Sequence, residues 1–404
     1  MSEGTRAPSR TILLLGTHGQ FNLGDELLLE TFLSQFGTEH RYYVNSYAPS
    51  KTAAQLDQRF TVEVFDTAKG RLDLLRHLRA SDLVVFGGGS ILKELYPSTG
   101  RWRYATLFMV LTIAVFCRLV VRRPILMSNI GVGPITTATG RRLTRWILHL
   151  VSLVAVRDRG SLETCLAVGA DPAKLRLVPD AVWVNEPEVF LPEPLRQKEA
   201  TTRPVRIALN LNRDIENGAH WEPFLDLLEE ALRLVAATTP IELHALPMQS
   251  RFKEHHDLRV LEEFLARLPD VASIFHDTEH HVDIGRIIAD CDVVVSERLH
   301  AIVIAAILGR ATVALMYDVK VQELVEQLEL VDRAVDINTT FDPASLADMI
   351  VAAVDDAEGE GRRLAARADE LRADVSRYFD DVRAWVAEPS GAGWSMAPPT
   401  LSEV

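Results

Sequence analysis

Ser296-Glu297-Arg298-Leu299-His300 brings anion recognition and proton transfer into one short stretch. Arg298 carries an always-charged guanidinium whose planar fork matches a carboxylate or phosphate. Two positions on, His300 carries the side chain whose ordinary titration range lies nearest neutrality. Together they would suit an anionic substrate that must gain or lose a proton. The same residues also fit a helix cap with one satisfied histidine, and spacing alone leaves both readings open.

The flanking sequence says how this stretch is held. Asp292 to Val295 read as a short buried strand, Ala301 to Leu308 read as an apolar helix, Gly309-Arg310 ends it, and Ala311 to Met316 begins another strand. Strand, loop, helix, strand is the βαβ unit of a parallel sheet. The polar interruption falls at the C-terminal end of the first strand, the rim where open α/β sheets bind ligands.

Other segments repeat that arrangement. Thr11 to Gly16 is a buried-strand run leading into Gly16, Gly19, Asn22 and Gly24, with Asp25-Glu26 in the first turn of the next helix. Amide-rich turns of this kind suit a phosphate or carboxylate, although the spacing is neither a dinucleotide fingerprint nor a Walker loop. Ser81 to Phe86 is followed by Gly87-Gly88-Gly89-Ser90, and three successive glycines allow a ligand or a second backbone to approach closely. A further strand after Pro124 runs into Gly131, Gly133 and Pro134. Leu153 to Val156 then closes on Arg157-Asp158, and Leu175 to Val178 leads to Pro179-Asp180. Between Lys51 and Ala80 helix mixes with polar connection. In the second half, Arg206 to Arg213 opens a new sheet, followed by a helix (Trp221 to Ala236), a strand (Ile241 to Ala245) and a turn that contains Gln249. Val271 to Phe275 reads as a strand and Ile284 to Ala289 as a helix. His255-His256 and His280-His281 are adjacent pairs with no helical His-x-x-x-His, so solvated histidines are expected and no metal site.

Composition narrows the function classes. A chain of 404 residues with 48% hydrophobic and 25% charged residues has room for two α/β domains, each with its own core. A net charge of −13 argues against nucleic-acid binding, which needs a basic face. The three cysteines are far apart in apolar surroundings and read as buried thiols of a reducing compartment. With a polar N-terminus that has no apolar signal core, this makes the cytoplasm the expected location.

Taken together, Gly19 to Glu26, Gly87 to Gly89, Ile130 to Pro134, Val156 to Asp158, Arg298 to His300, and Tyr317 to Lys320 resemble the ordered motifs of the polysaccharide pyruvyl transferase family, from about Thr11 to Leu330. The resemblance implies two Rossmann-like parallel-sheet domains facing a cleft, as in GT-B glycosyltransferases. It also implies transfer of the enolpyruvyl unit of phosphoenolpyruvate to a sugar, giving a pyruvate ketal and free phosphate. Phosphoenolpyruvate would be a co-substrate, with no cofactor and no metal. His300 and Arg298 are the expected catalytic residues. Arg213, Arg298, Asn22, Gly24, Asp25, Gly88, Gly89 and Ser90 are expected around the donor. Gly131, Gly133, Arg157, Asp158, Asp180, Gln249, Tyr317 and Lys320 are expected around the acceptor or elsewhere in the cleft. His18 departs from the small or aromatic residue common at its position in the family. The acceptor sugar does not carry over. A nucleotide-sugar glycosyltransferase of the same architecture is the alternative reading, and a non-catalytic carbohydrate-binding protein is a third.

The expected organisation is a flexible segment 1–10, an N-terminal Rossmann-like domain 11–185, a linker 186–204, a C-terminal Rossmann-like domain 205–342, a helical region 343–387 and a disordered tail 388–404. Ala105 to Val121 is nearly all apolar, but it is shorter than the roughly 20 residues of a membrane span and is broken by Arg118. A helix packed inside the fold is one expectation. Peripheral contact of 101–123 with the inner face of the cell membrane is the other, near a sugar acceptor carried on a lipid or a polysaccharide precursor.

Overall fold

Thr11–Leu15 (β1) is the centre from which the first sheet is built, and Ile12, Leu13 and Leu14 are almost wholly buried. The computed structural model describes residues 9–388 apart from 57, 96–99, 194–202, 214–219 and 252–255. The expected flexible start at 1–8, the middle of the expected linker, His255 and the expected disordered tail from 389 lie outside the described residues.

In chain order the first half continues with Leu23–Phe36 (α1), Arg41–Ser46 (β2), Pro49–Gln55 (α2), Thr61–Asp66 (β3) and Arg71–Ala80 (α3). Leu83–Gly87 (β4), Ser90–Leu92 (β5), Ala105–Val115 (α4), Ile125–Val132 (β6) and Ala138–Leu150 (α5) come next, then Leu153–Val156 (β7), Arg159–Ala167 (α6) and Leu175–Leu177 (β8). The main sheet runs β3-β2-β1-β4-β6-β7-β8, with β5 paired to β6, and every ladder is parallel. Strands covered on both faces need largely apolar side chains, which the runs in β1 and β4 supply, while in β6 the buried Ser128 and Asn129 are hydrogen-bonded to Tyr378 and to the Pro179 carbonyl.

The second half comprises Pro187–Phe190 (α7), Val205–Asn210 (β9), Trp221–Thr238 (α8), Ile241–Ala245 (β10), Asp257–Leu265 (α9), Ala272–Phe275 (β11), His281–Asp290 (α10) and Val293–Ser296 (β12). Leu299–Ile307 (α11), Ala311–Met316 (β13), Val319–Gln327 (α12), Ala334–Asp336 (β14), Pro343–Asp355 (α13) and Ala357–Ala387 (α14) complete it. Its sheet is again parallel, in the order β11-β10-β9-β12-β13-β14. Ile207, Leu209, Val293, Val295 and Val313 from the strands pack with Phe224 and Leu228 of α8 and with Leu346 and Ile350 of α13.

The chain divides into two compact units. Among the described residues, one comprises those of 9–20, 25–184 and 373–388, and the other those of 21–24 and 185–372. The C-terminal helices do not form a region of their own. α13 is part of the second unit's core, while the end of α14 joins the first unit, where Phe379 packs edge-on against Phe32 at 5.9 Å and Phe36 at 6.2 Å. The expected helical region 343–387 consists of these two helices, which meet at Asp356.

Several elements differ from expectation. β3 lies where only helix and connection were read, because TVEVFD alternates along a partly exposed edge and lacks a continuous apolar run. The short β5 and β14 and the helices α9 and α12 were likewise unread. Helix α11 begins at Leu299, not at Ala301, because Arg298 is its extended N-cap. His300 therefore sits in the first helical turn.

Candidate functional site

In each sheet, neighbouring strands change direction of succession at one place. In the second unit that switch point lies between β9 and β12, where open α/β sheets take ligands beyond the strand ends. Asn210 closes β9 and Ser296 closes β12, and both are fully buried. The Asn210 Oδ1 accepts the Arg298 backbone N–H at 3.0 Å and the Ser296 hydroxyl at 3.2 Å. Its Nδ2 donates to the Leu246 carbonyl at 2.8 Å. One buried amide thus ties together the ends of three strands and fixes where α11 starts.

Arg298 is held by a carboxylate. Its Nε donates to Asp257 Oδ2 at 3.1 Å and its Nη2 to Asp257 Oδ1 at 2.6 Å, a two-point fork. Nη2 also reaches Gln249 Oε1 at 3.3 Å. Asp257 is fully buried at the start of α9 and accepts the Met248 N–H at 3.1 Å as well. The guanidinium is therefore pre-oriented before any ligand arrives, and its Nε–Nη2 edge is committed to Asp257. Beside it, the buried Glu297 accepts from Asn212 Nδ2 at 2.9 Å.

His300 lies against the backbone of Gly24. A Cβ at Gly24 would come within 2.0 Å of the imidazole Nδ1, so any side chain there would displace the ring. The Gly24 N–H donates to Asn22 Oδ1 at 3.0 Å. Asn22 forms an antiparallel bridge with Gln249, and Leu23 N–H reaches the Met248 carbonyl at 2.9 Å. Asn22, Gly24, Gln249, Arg298 and His300 are thus brought together, and Gln249, expected near the acceptor, stands beside the arginine expected to bind the donor. Arg213 lies exposed just past β9. Tyr317 lines a cavity of about 310 Å³ at the end of the adjacent strand β13, with Asp318 and Asn338. Lys320 pairs with Asp318 at 3.3 Å.

The first unit has its own switch point, between β1 and β4. Here backbone makes the wall. Gly88 and Gly89 take left-handed φ values of +62° and +68°. A Cβ on Gly89 would find only Thr17 Oγ1 at 3.7 Å and Asp25 Oδ1 at 4.0 Å, whereas one on Gly88 would strike Leu28 at 2.7 Å. Gly131 N–H bonds the Gly89 carbonyl at 2.8 Å, and its Cα faces Ser90 Oγ and Arg157 Nε. Gly133 follows with a left-handed φ. Arg157 is buried and donates to Asp180 at 2.9 Å, while Asp158 caps α6 by accepting Ser161 N–H at 2.6 Å. Asp25, Gly88, Gly89, Ser90, Gly131, Gly133, Arg157, Asp158 and Asp180 therefore belong to the first unit. The residues expected around the donor are divided between the two.

Two buried titratable groups stand at this rim. Burial lowers His18 from its ordinary range to about 4, against the nearby Asp25, and its Nδ1 has no hydrogen-bond partner among the described residues. Burial likewise raises Glu26 to about 7, against the Gly19 N–H that it accepts at 2.7 Å. The histidines read as solvated are otherwise placed. His256 caps α9, His280 caps α10, and His281 is buried with its ring 5.9 Å from that of Phe190. Sequence reasoning passed over Asp257, Asn210, Asn212 and Glu297. Their types and spacing gave no role to them, since each depends on a partner that lies 41 or more residues away.

A family model described as polysaccharide pyruvyl transferase matches residues 22–319. The chain is 21% identical over 290 residues to the amylovoran biosynthesis protein AmsJ of Erwinia amylovora, a match taking in 67% of this chain. It spans 65% of the length of that curated relative. Among solved structures, Anabaena Alr3699/HepE in complex with UDP-glucose is similar with a TM-score of 0.62 and 17% identity, over 93% of this chain and 99% of that one. A glycosyltransferase from Rickettsia africae is similar with a TM-score of 0.62 and 13% identity, over 95% and 100%. At these identities the likeness is one of fold, and it makes the pair of Rossmann-like units a GT-B-like architecture.

Proposed function

The chain belongs to the polysaccharide pyruvyl transferase family, and from that premise we propose that it moves the enolpyruvyl unit of phosphoenolpyruvate onto a sugar of a surface polysaccharide or glycolipid precursor. The product is a pyruvate ketal and the leaving group is phosphate. The observation that carries this reading is Arg298, forked onto the buried Asp257, with His300 in the first turn of the helix that Arg298 caps, at the switch point of the second unit.

Phosphoenolpyruvate brings a carboxylate and a phosphate to one small carbon skeleton. A guanidinium already fixed in orientation binds such an anion without first losing rotamer freedom. Arg213, exposed past β9, is the second cation assigned to the donor. In the reaction the methylene carbon takes a proton, one sugar hydroxyl bonds to the neighbouring carbon, phosphate departs, and a second hydroxyl closes the ketal. Of the two hydroxyl protons, one is balanced by that on the new methyl group and the other by the proton that leaves with phosphate. His300 is assigned to proton movement, as donor to carbon or acceptor from the sugar. The step draws on no metal and no prosthetic group. We place the reaction in the cytoplasm, a reading supported by three buried cysteines that are free of disulfides.

A second reading, transfer from a nucleotide-sugar, is favoured by the UDP-glucose bound to the Anabaena neighbour. Incubating the protein with phosphoenolpyruvate and a panel of lipid-linked and nucleotide-linked sugars separates the two. Acceptor-dependent phosphate release with a ketal in the product supports pyruvyl transfer. UDP release from a nucleotide-sugar without phosphoenolpyruvate supports the second reading.

A further inference from the structure

Helix α4 is apolar all round, yet the fold buries only one of its sides. Leu107, Val110, Ile113 and Ala114 face the core of the first unit, and Cys117 continues that stripe into the π-helical turn Phe116–Val121. The opposite side is open to solvent: Phe108 is 53% exposed, Met109 48%, Val115 38%, Leu119 66% and Val120 61%. These positions follow helical spacing, so they make one continuous stripe. Trp102 extends it at the N-terminal end, edge-on to Tyr104 at 5.5 Å and to Phe108 at 5.9 Å. Thr112 is exposed within this side, its hydroxyl turned onto the Phe108 carbonyl, and an apolar face of this extent is uncommon on a soluble protein and marks a contact surface.

Charge identifies what the face meets. The chain carries 56 acidic and 43 basic residues, but from Leu95 to Arg157 it has no aspartate or glutamate and nine arginines. Arg157 is buried with Asp180, and Arg123 lies 3.8 Å from Asp82. Arg101, Arg103 and Arg122 are exposed around the stripe, and Arg118 is partly exposed within its last turn. On α5, packed beside α4, Arg142 and Arg145 are exposed next to Trp146. No helix among the described residues is long and apolar enough to cross a membrane.

We infer that this face is a docking surface for the headgroup region of an anionic lipid bilayer, with the helix lying in the interface. Phe108, Met109, Leu119 and Val120 enter the acyl boundary, Trp102 sits at headgroup depth, and the arginines meet anionic lipid. The rest of the chain, with its acidic excess, is repelled by the same surface, which restricts how the protein can land. The inference stands apart from the proposed reaction, because the test uses neither donor nor acceptor.

The test is flotation of the full-length protein with vesicles of phosphatidylcholine alone and with vesicles that also contain phosphatidylglycerol. Retention on the anionic vesicles that falls as salt rises is expected, since Debye screening weakens the arginine contacts. Leu119→Ser with Val120→Ser is expected to abolish retention. Arg118→Gln with Arg122→Gln is expected to weaken it by about tenfold or more. The melting temperature should stay near that of the parent in both variants, because the altered side chains lie largely outside the core. Absent retention, or retention equal on both vesicle types and unmoved by either variant, overturns the inference. So does a parent dimer in sedimentation velocity that Leu119→Ser with Val120→Ser dissolves, since the face would then belong to a second copy.

Discussion

The two switch points are built on opposite principles. In the second unit the rim is made of side chains that hold one another: Arg298 on Asp257 and Gln249, Asn212 on Glu297, and Asn210 across the ends of three strands. In the first unit the rim is made of backbone, with Gly88, Gly89, Gly131 and Gly133 keeping side chains out of the way. A charged network fixes direction, and bare backbone fixes distance. The first suits a small anion bound the same way every time, and the second suits a ring that must slide in close.

The contrast can be broken by single substitutions. His300→Ala should lower turnover by roughly 10²- to 10⁴-fold, the usual loss for an acid–base group, while donor affinity changes little. Steady-state phosphate release read alongside phosphoenolpyruvate binding separates those effects, and near-parental turnover would remove His300 from the chemistry.

Asp257→Ala should cost about 3–5 kcal/mol of stability, because it leaves the largely buried Arg298 guanidinium without its counter-charge. Urea unfolding reports it. A loss of a few tenths of a kcal/mol would mean that the fork does not organise this rim.

In the first unit, Gly89→Ala should cost about 1–2 kcal/mol, the penalty for a left-handed alanine in open space. Gly88→Ala should cost more, since its Cβ also strikes Leu28 at 2.7 Å. Equal losses in thermal unfolding would contradict the close packing assigned to Gly88.

The smallest effect concerns pH. His18, lowered to about 4, contributes stability that is present above its unfolded value of 6.5 and is lost as pH falls through 4. Glu26, raised to about 7, contributes stability that is present below its unfolded value of 4.5 and is lost as pH rises through 7. The two slopes oppose each other between pH 4.5 and 6.5, so together they leave the parent nearly flat there. Glu26→Gln should unmask a stability that rises with pH across this window. His18→Gln should unmask one that falls. Unfolding series at several pH values check the signs, and matching slopes in the two variants would contradict the assignment.

Much of this was legible in the sequence. Continuous apolar runs ending in glycine or in Ser-Glu-Arg identified the central parallel strands and placed both rims at strand ends, and β1, β4, β6, β12 and β13 are found there. What stayed hidden has physical causes. β3 is a partly exposed edge strand, whose alternating pattern carries less signal than a buried run. Asp257 lies 41 residues before the arginine it holds, and only the tertiary fold brings the start of α9 to the residue that follows β12 and Glu297. The sides of α4 could not be distinguished by composition, because both are apolar and only the packing decides which is covered. The division of α14 between the two units is likewise a matter of tertiary contact, since its heptad-scale pattern is continuous.

The central claim is that the rim of the second unit binds phosphoenolpyruvate through a pre-oriented guanidinium. Calorimetric titration of phosphoenolpyruvate into the parent and into Arg298→Lys tests it most directly. Lysine keeps the charge but cannot fork onto Asp257 or the ligand, so affinity should fall about tenfold or more, with the variant still folded by circular dichroism. Equal affinities in the two proteins, or a parent that binds UDP-glucose and not phosphoenolpyruvate, would contradict it.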